Sequence, residues 1–331
     1  MRKIPATVIT GFLGAGKTSL MRHLVSNAGG RRLALVINEF GELGVDREIL
    51  LGCGVENCGD DDVIELANGC LCCTVAEEFL PTLEKLLART APPDHILIET
   101  SGLALPKPLI QAFAWPEIKA RVSVDGVIAV VDAAAVAAGR FAGAPTLPAH
   151  DNPLEEVFED QLLAADLVVL NKTDLVPGAA EARVAAQIRQ TLRPAAKLIA
   201  ATHGAVAPAA LLGLDAAAED DLANRPSHHD LEPGHDHDDF ESFVVARGPV
   251  ADPGGFLARL AELSQRHDIL RLKGFLDVPG KEFRQVVQGV GARLQHYFDR
   301  PWRPGEPRLS RLVVIGLKGL DRAAIAAAVQ A

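Results

Sequence analysis

At 331 residues the chain is long for one ordinary domain and suits two. Hydrophobic residues make up 48% and charged residues 23%, a balance that buries real cores and excludes a disordered chain. The formal net charge of −10 argues against nucleic acid and anionic membrane surfaces as partners, and no apolar run approaches the ~20 residues of a membrane span.

Met1-Arg2-Lys3-Ile4-Pro5 runs straight into a strand, which leaves no room for a cleaved signal and predicts a cytoplasmic protein. Its five cysteines are then expected to be reduced, and an odd number cannot pair completely.

The first strand is predicted at 6–10, and Gly11-Phe12-Leu13-Gly14-Ala15-Gly16-Lys17-Thr18 follows it and opens a helix at 18–28. This is the full P-loop pattern in its strand–loop–helix context. Glycines let backbone N–H groups turn toward phosphate oxygens, and the helix start beginning Thr18-Ser19 faces the same anion. Lys17 is expected to reach the β- and γ-phosphates and the Thr18 hydroxyl to ligate Mg²⁺.

A strand at 33–37 leads into Asn38-Glu39-Phe40-Gly41-Glu42-Leu43-Gly44-Val45-Asp46, whose acids and glycines suit a loop ordered by nucleotide. A strand at 63–66 precedes Gly69-Cys70-Leu71-Cys72-Cys73, and a helix at 76–89 follows. Thiolates bind soft or borderline ions such as Zn²⁺, Co²⁺ or Cu⁺, and a helix N-terminus lowers thiol pKa. No second Cys/His pair completes a closed structural zinc site, which favours an exchangeable ion; a redox pair or a buried thiol cluster is the alternative. Cys53 and Cys58 are either extra ligands or packing residues.

The strand at 95–99 ends in Glu99-Thr100-Ser101-Gly102. Glu99 is placed to hold a Mg²⁺-bound water, and the Gly102 N–H to meet the γ-phosphate. Lys17, Thr18 and Glu99 are therefore the catalytic candidates, with no glutamine or arginine assigned.

After a strand at 127–131 and a helix at 154–164, the strand at 167–170 delivers Asn171-Lys172-Thr173-Asp174. The Asp174 carboxylate can accept from N1–H and the 2-amino group of guanine, a donor pair that adenine lacks. Asn171 would brace the loop and the Lys172 stem cover the base. A helix at 180–192 and a strand at 197–201 lead to Ala201-Thr202-His203-Gly204, a candidate second base-contacting loop. These apolar, barely alternating strands with intervening helices predict an α/β domain over 1–226 with a mostly parallel sheet.

Residues 227–239 form a polar break carrying His228, His229, His235 and His237, read as an exposed linker or a weak metal-collecting patch. His23, His95, His150, His267 and His296 are isolated and read as structural. Strands at 240–247, 269–278, 283–290, 294–298 and 312–315, with helices at 253–266 and 321–329, predict a small α+β domain over 240–331.

With these residues in place, the chain resembles the CobW family of SIMIBI-class P-loop GTPases, which also holds the urease and hydrogenase nickel-insertion GTPases. Its landmarks are Gly11 to Thr18, Asn38 to Gly41, the Cys-x-Cys-Cys motif of Cys70, Cys72 and Cys73, Glu99 to Gly102, Asn171 to Asp174 and Arg271-Leu272-Lys273-Gly274. The resemblance implies a metallochaperone or metal-dependent GTPase with Cys70, Cys72 and Cys73 as metal ligands, and with Glu39 and Asp46 assisting either Mg²⁺ or that second metal. The stretch from Ala114-Trp115-Pro116-Glu117-Ile118 through Asp132 and the segment Val287-Gln288-Gly289-Val290 are similar to the cobalamin-biosynthesis members, which implies Co²⁺ supplied toward a cobaltochelatase client. The start lacks the extension by which eukaryotic zinc-chaperone relatives dock a client, an expectation against that branch. Zinc delivery, or a regulatory GTPase with a structural zinc, are the alternatives.

Overall fold

The computed structural model describes residues 3–38, 63–66, 79–140, 153–228 and 240–331. The chain divides into two compact units, with the described residues up to 228 in the first and those from 240 in the second.

Among the described residues, seven strands build the first unit: β1 Ile4–Thr10, β2 Leu33–Asn38, β3 Val63–Leu66, β4 His95–Glu99, β5 Val122–Asp132, β6 Leu167–Asn171 and β7 Lys197–Ala200. Their order is β3-β2-β4-β1-β5-β6-β7, and every ladder is parallel. Each of the seven expected strands is present. β2, β4 and β6 are buried along their whole length, so continuous Val/Ile/Leu runs rather than alternation encode them.

Parallel neighbours require crossovers, and among the described residues these include α1 Lys17–Ser26, α2 Leu80–Leu87, α3 Pro106–Ala112, α4 Pro116–Lys119, α5 Ala133–Ala137, α6 Pro153–Ala164, α7 Gly178–Thr191 and α8 Pro208–Leu211. In α2, Leu83 and Leu86 are fully buried beside Phe79, whose ring meets Phe113 edge-on at 5.4 Å. Burying each such leucine contributes about 1.5–3 kcal/mol. A second cluster joins Val136 of α5, Leu162 of α6 and Val184 and Ile188 of α7 to Val131, Val168 and Leu170.

β5 starts five residues earlier than its apolar run, because Asp125 is a buried polar member of the strand. Asp125 accepts hydrogen bonds from the amides of Gly213 (2.7 Å) and Asp215 (3.0 Å), fastening the segment after α8. Thr7 Oγ1 lies 2.7 Å from His95 Nε2 and 3.4 Å from Asp125 Oδ2. Burial pushes the His95 pKa down to about 4, with Arg31 adding to that and Asp125 opposing it. His95 is thus a neutral structural histidine, as its isolation in the sequence implied.

The expected linker is not exposed at its first two residues. Asp160 of α6, itself buried, accepts from Ser227 Oγ (2.5 Å), from the His228 amide (3.0 Å) and from His228 Nδ1 (2.7 Å). Burial works against charge on His228, but the bond and charge of Asp160, with Glu159 and Glu156, raise its pKa overall. One ring nitrogen of His228 is therefore committed to Asp160 rather than held out for metal. His229, His235 and His237 lie outside the described residues.

The second unit is a five-stranded antiparallel sheet of β8 Phe240–Arg247, β9 Arg271–Leu276, β10 Phe283–Val290, β11 Arg293–Pro301 and β12 Ser310–Leu317, in the order β11-β10-β9-β12-β8. Its helices are α9 Pro253–Arg266 and α10 Arg322–Gln330. Both start on an aspartate cap: Asp252 accepts from the Gly255 amide and Asp321 from the Ala324 amide. Phe256, Leu260, Ile325 and Val329 form its core with Leu272, Leu276, Leu312 and Val314, alternate positions of β9 and β12.

Candidate functional site

Because all seven strands of the first unit run the same way, their carboxyl ends share one edge of the sheet. In open α/β sheets that edge forms the ligand crevice. β1 ends in the phosphate loop, β4 in Glu99, β5 in Asp132, β6 in Asn171 and β7 just before residues 201–204.

Gly16 caps α1 with φ 108°, and a Cβ there would come within 2.3 Å of the Asn171 side chain, so this position needs glycine on two counts. Lys17 is buried, and its ammonium donates to the carbonyl of Gly11 at 2.8 Å and of Phe12 at 3.4 Å. The amine therefore lies along the loop's own backbone, with Phe12, Leu13 and Ala15 buried around it. Thr18 Oγ1 lies 3.2 and 3.3 Å from the two carboxylate oxygens of Glu99, which is 4% exposed. The two residues expected to serve Mg²⁺ come together from elements 81 positions apart. A hydroxyl and a carboxylate, oxygen donors only, fit a hard cation.

Asn171 ties three segments together. Its Nδ2 donates to the Ala15 carbonyl (2.9 Å), and its Oδ1 accepts from the Gly204 amide (2.9 Å). Lys172 adopts a left-handed conformation (φ 61°), and its ammonium reaches Gly14 O at 2.6 Å and Asp132 Oδ2 at 2.8 Å. Thr173 Oγ1 donates to the Ala201 carbonyl at 3.1 Å. Asp174 follows in a short 3-10 turn and is exposed to solvent. Residues 201–204 accordingly sit beside both the base loop and the start of α1.

After β4, the Thr100 amide donates to Ile9 O (2.9 Å) and the Thr100 hydroxyl to Thr10 Oγ1 (3.0 Å), which fixes the turn against β1. Gly102 packs so closely on the phosphate loop that a Cβ would meet the Leu13 backbone N at 2.7 Å.

Two further residues of this constellation carry no role that the sequence alone assigns. Asp132 is buried, pairs with Lys172 and caps α5 by accepting from the Ala135 amide. Its signal was an acid closing an apolar strand at the crevice edge. Gln161 is 1% exposed on α6 and donates to the carbonyls of Gly102 and Ala104. Its signal was a polar residue one helical turn from buried Val157, on the inward stripe. The metal candidates Cys70, Cys72, Cys73, Glu39 and Asp46, with Cys53 and Cys58, lie outside the described residues. Among the described residues no group of three or more His, Cys, Asp or Glu side chains is arranged to hold a metal ion.

Residues 5–200 match the CobW/HypB/UreG nucleotide-binding domain family. The chain belongs to that family. It is a GTPase of the group, with the phosphate loop, the Thr18–Glu99 pair and residues 171–174 at one sheet edge. Residues 240–331 match the cobalamin synthesis protein cobW C-terminal domain. The chain is 56% identical to a Sinorhizobium protein described as zinc chaperone CobW, covering 99% of this chain and 97% of that one. It is 53% identical to a Pseudomonas aeruginosa protein of the same description, over 98% and 90% of the two chains. It is 31% identical to the Escherichia coli zinc chaperone YjiA, over 96% and 95%. No helix among the described residues is long and apolar enough to cross a membrane.

Proposed function

We propose that this GTPase is a metallochaperone that loads Zn²⁺ in a GTP-dependent way and releases it to a protein client. The observation that carries the metal is the 56% identity, across nearly the whole of both chains, to a protein described as a zinc chaperone. The sequence alone pointed to Co²⁺; the descriptions of these relatives favour Zn²⁺.

The nucleotide chemistry falls to groups at the carboxyl edge of the parallel sheet. Lys17 and the N-terminus of α1 receive the phosphates, and Asp174 reads guanine while Asn171 and Lys172 hold its loop in place. Thr18 would ligate Mg²⁺ directly and Glu99 through water; the ion would offset charge building on the β- and γ-phosphates. Cys70, Cys72 and Cys73 are the proposed zinc ligands, a thiolate set suited to a borderline-soft ion, with Glu39 and Asp46 assisting one of the two metals.

A second reading keeps cobalt, with cobaltochelatase as client, and is favoured by the match of residues 240–331 to a cobalamin synthesis domain. Zinc dialysed against the full chain tests the favoured reading. One tight Zn²⁺ per chain is expected, lost in Cys72→Ser while GTP binding persists. Undiminished tight zinc in that variant would remove the thiolate assignment.

A further inference from the structure

Gln161 is buried on α6, and its Nε2 donates to two carbonyls of one turn, Gly102 O at 3.3 Å and Ala104 O at 3.2 Å. Both contacts point the amide nitrogen at the turn, and the amide oxygen, also buried, finds no donor among the described residues. The unpaired acceptor costs stability, which is set against the two carbonyls that the amide nitrogen satisfies. The turn that it grips is the one following Glu99. Ser101 closes that turn by accepting from the Ala104 amide at 3.1 Å, and Leu103 and Ala104 are buried. Gly102 at its centre rests against the Leu13 backbone of the phosphate loop.

The geometry points to Gln161 as a positioning residue of the GTPase: by holding the carbonyls of Gly102 and Ala104 it keeps the turn seated on the phosphate loop, with the Gly102 N–H preset for the γ-phosphate. A group reading the γ-phosphate acts only in the triphosphate state. Seating it in advance therefore favours GTP over GDP and orders the site for hydrolysis, since no conformational change must then be driven by the ligand. The helix position supports this. Gln161 projects inward one turn after Val157, while its neighbour Asp160 is fixed by Ser227 and His228, so the side chain works from an anchored helix. The inference rests on Gly102 meeting the γ-phosphate.

The test compares the affinity for a non-hydrolysable GTP analogue with that for GDP, both with Mg²⁺, in the full chain and in Gln161→Leu and Gln161→Glu. Leucine donates to neither carbonyl, and glutamate, which keeps the side chain's size, offers at most one O–H when protonated in place of two N–H donors. Two lost hydrogen bonds predict about a tenfold fall in the analogue-to-GDP affinity ratio and a comparable fall in kcat, with GDP affinity within about twofold of the parent. A purely structural glutamine would lower both affinities together, or unfold both variants, and either result overturns the proposal. Gly102→Ala reads the underlying assignment separately. If that variant loses the preference and both Gln161 variants keep it, Gln161 has no positioning role while the Gly102 assignment stands. If no variant loses it, both assignments fall.

Discussion

The Lys172 ammonium lies 2.8 Å from the Asp132 carboxylate, and the same nitrogen reaches the Gly14 carbonyl at 2.6 Å. One cation therefore joins the loop after β6, the phosphate loop and the end of β5. Asp132 is 3% exposed, so its charge has no bulk water to fall back on. Removing it would leave the lysine ammonium under-compensated in a largely dry setting. Asp132→Asn is expected to weaken GTP and GDP equally, by roughly tenfold or more. In a Lys172→Met background the same change should add less than about twofold, because the two act as a unit. Equal losses in both backgrounds, by titration with fluorescent nucleotides, would show that Asp132 acts through something other than Lys172.

Asp174 is exposed at the end of a loop braced by Asn171, which leaves its carboxylate free to face a base. Asp174→Asn replaces one acceptor by a donor. Preference is expected to move from GTP toward XTP, whose 2-oxo group calls for a donor. A variant that still prefers GTP as strongly as the parent would mean that another group reads the base.

The fold was legible because its signals are local. Seven apolar runs marked the parallel strands, and the P-loop, Glu99 and Asn171–Asp174 motifs each followed one of them. Long-range pairings left no such trace. Nothing adjacent to Gln161 announces Gly102, 59 residues away, and nothing adjacent to His228 announces Asp160, 68 residues away. The start of β5 was hidden for a related reason. Asp125 looks like a turn residue until its partners, the amides of Gly213 and Asp215, are brought to it by the fold.

His95 supplies a pH dependence. Its folded pKa, lowered to about 4 chiefly by burial, lies below the 6.5 of an ordinary histidine. Between those values the unfolded chain binds a proton that the folded chain does not, so stability falls as the pH is lowered through that window. Urea midpoints of the parent should drop between pH 7 and pH 5. His95→Gln, which removes the titrating group, should show a smaller drop. An equal drop in both proteins would assign the acid sensitivity to other groups.

Nucleotide and zinc binding are expected to be coupled. Zinc affinity should be measured by competition with a chromophoric chelator, with Mg²⁺ and either a non-hydrolysable GTP analogue or GDP. The analogue is expected to tighten zinc binding, by up to about 150-fold at the upper end of ordinary coupling energies, near 3 kcal/mol. By reciprocity, zinc must raise affinity for the analogue over GDP by the same factor. Equal zinc affinity in the two nucleotide states would contradict the account, leaving a GTPase that holds a structural zinc rather than a carrier that loads and releases one.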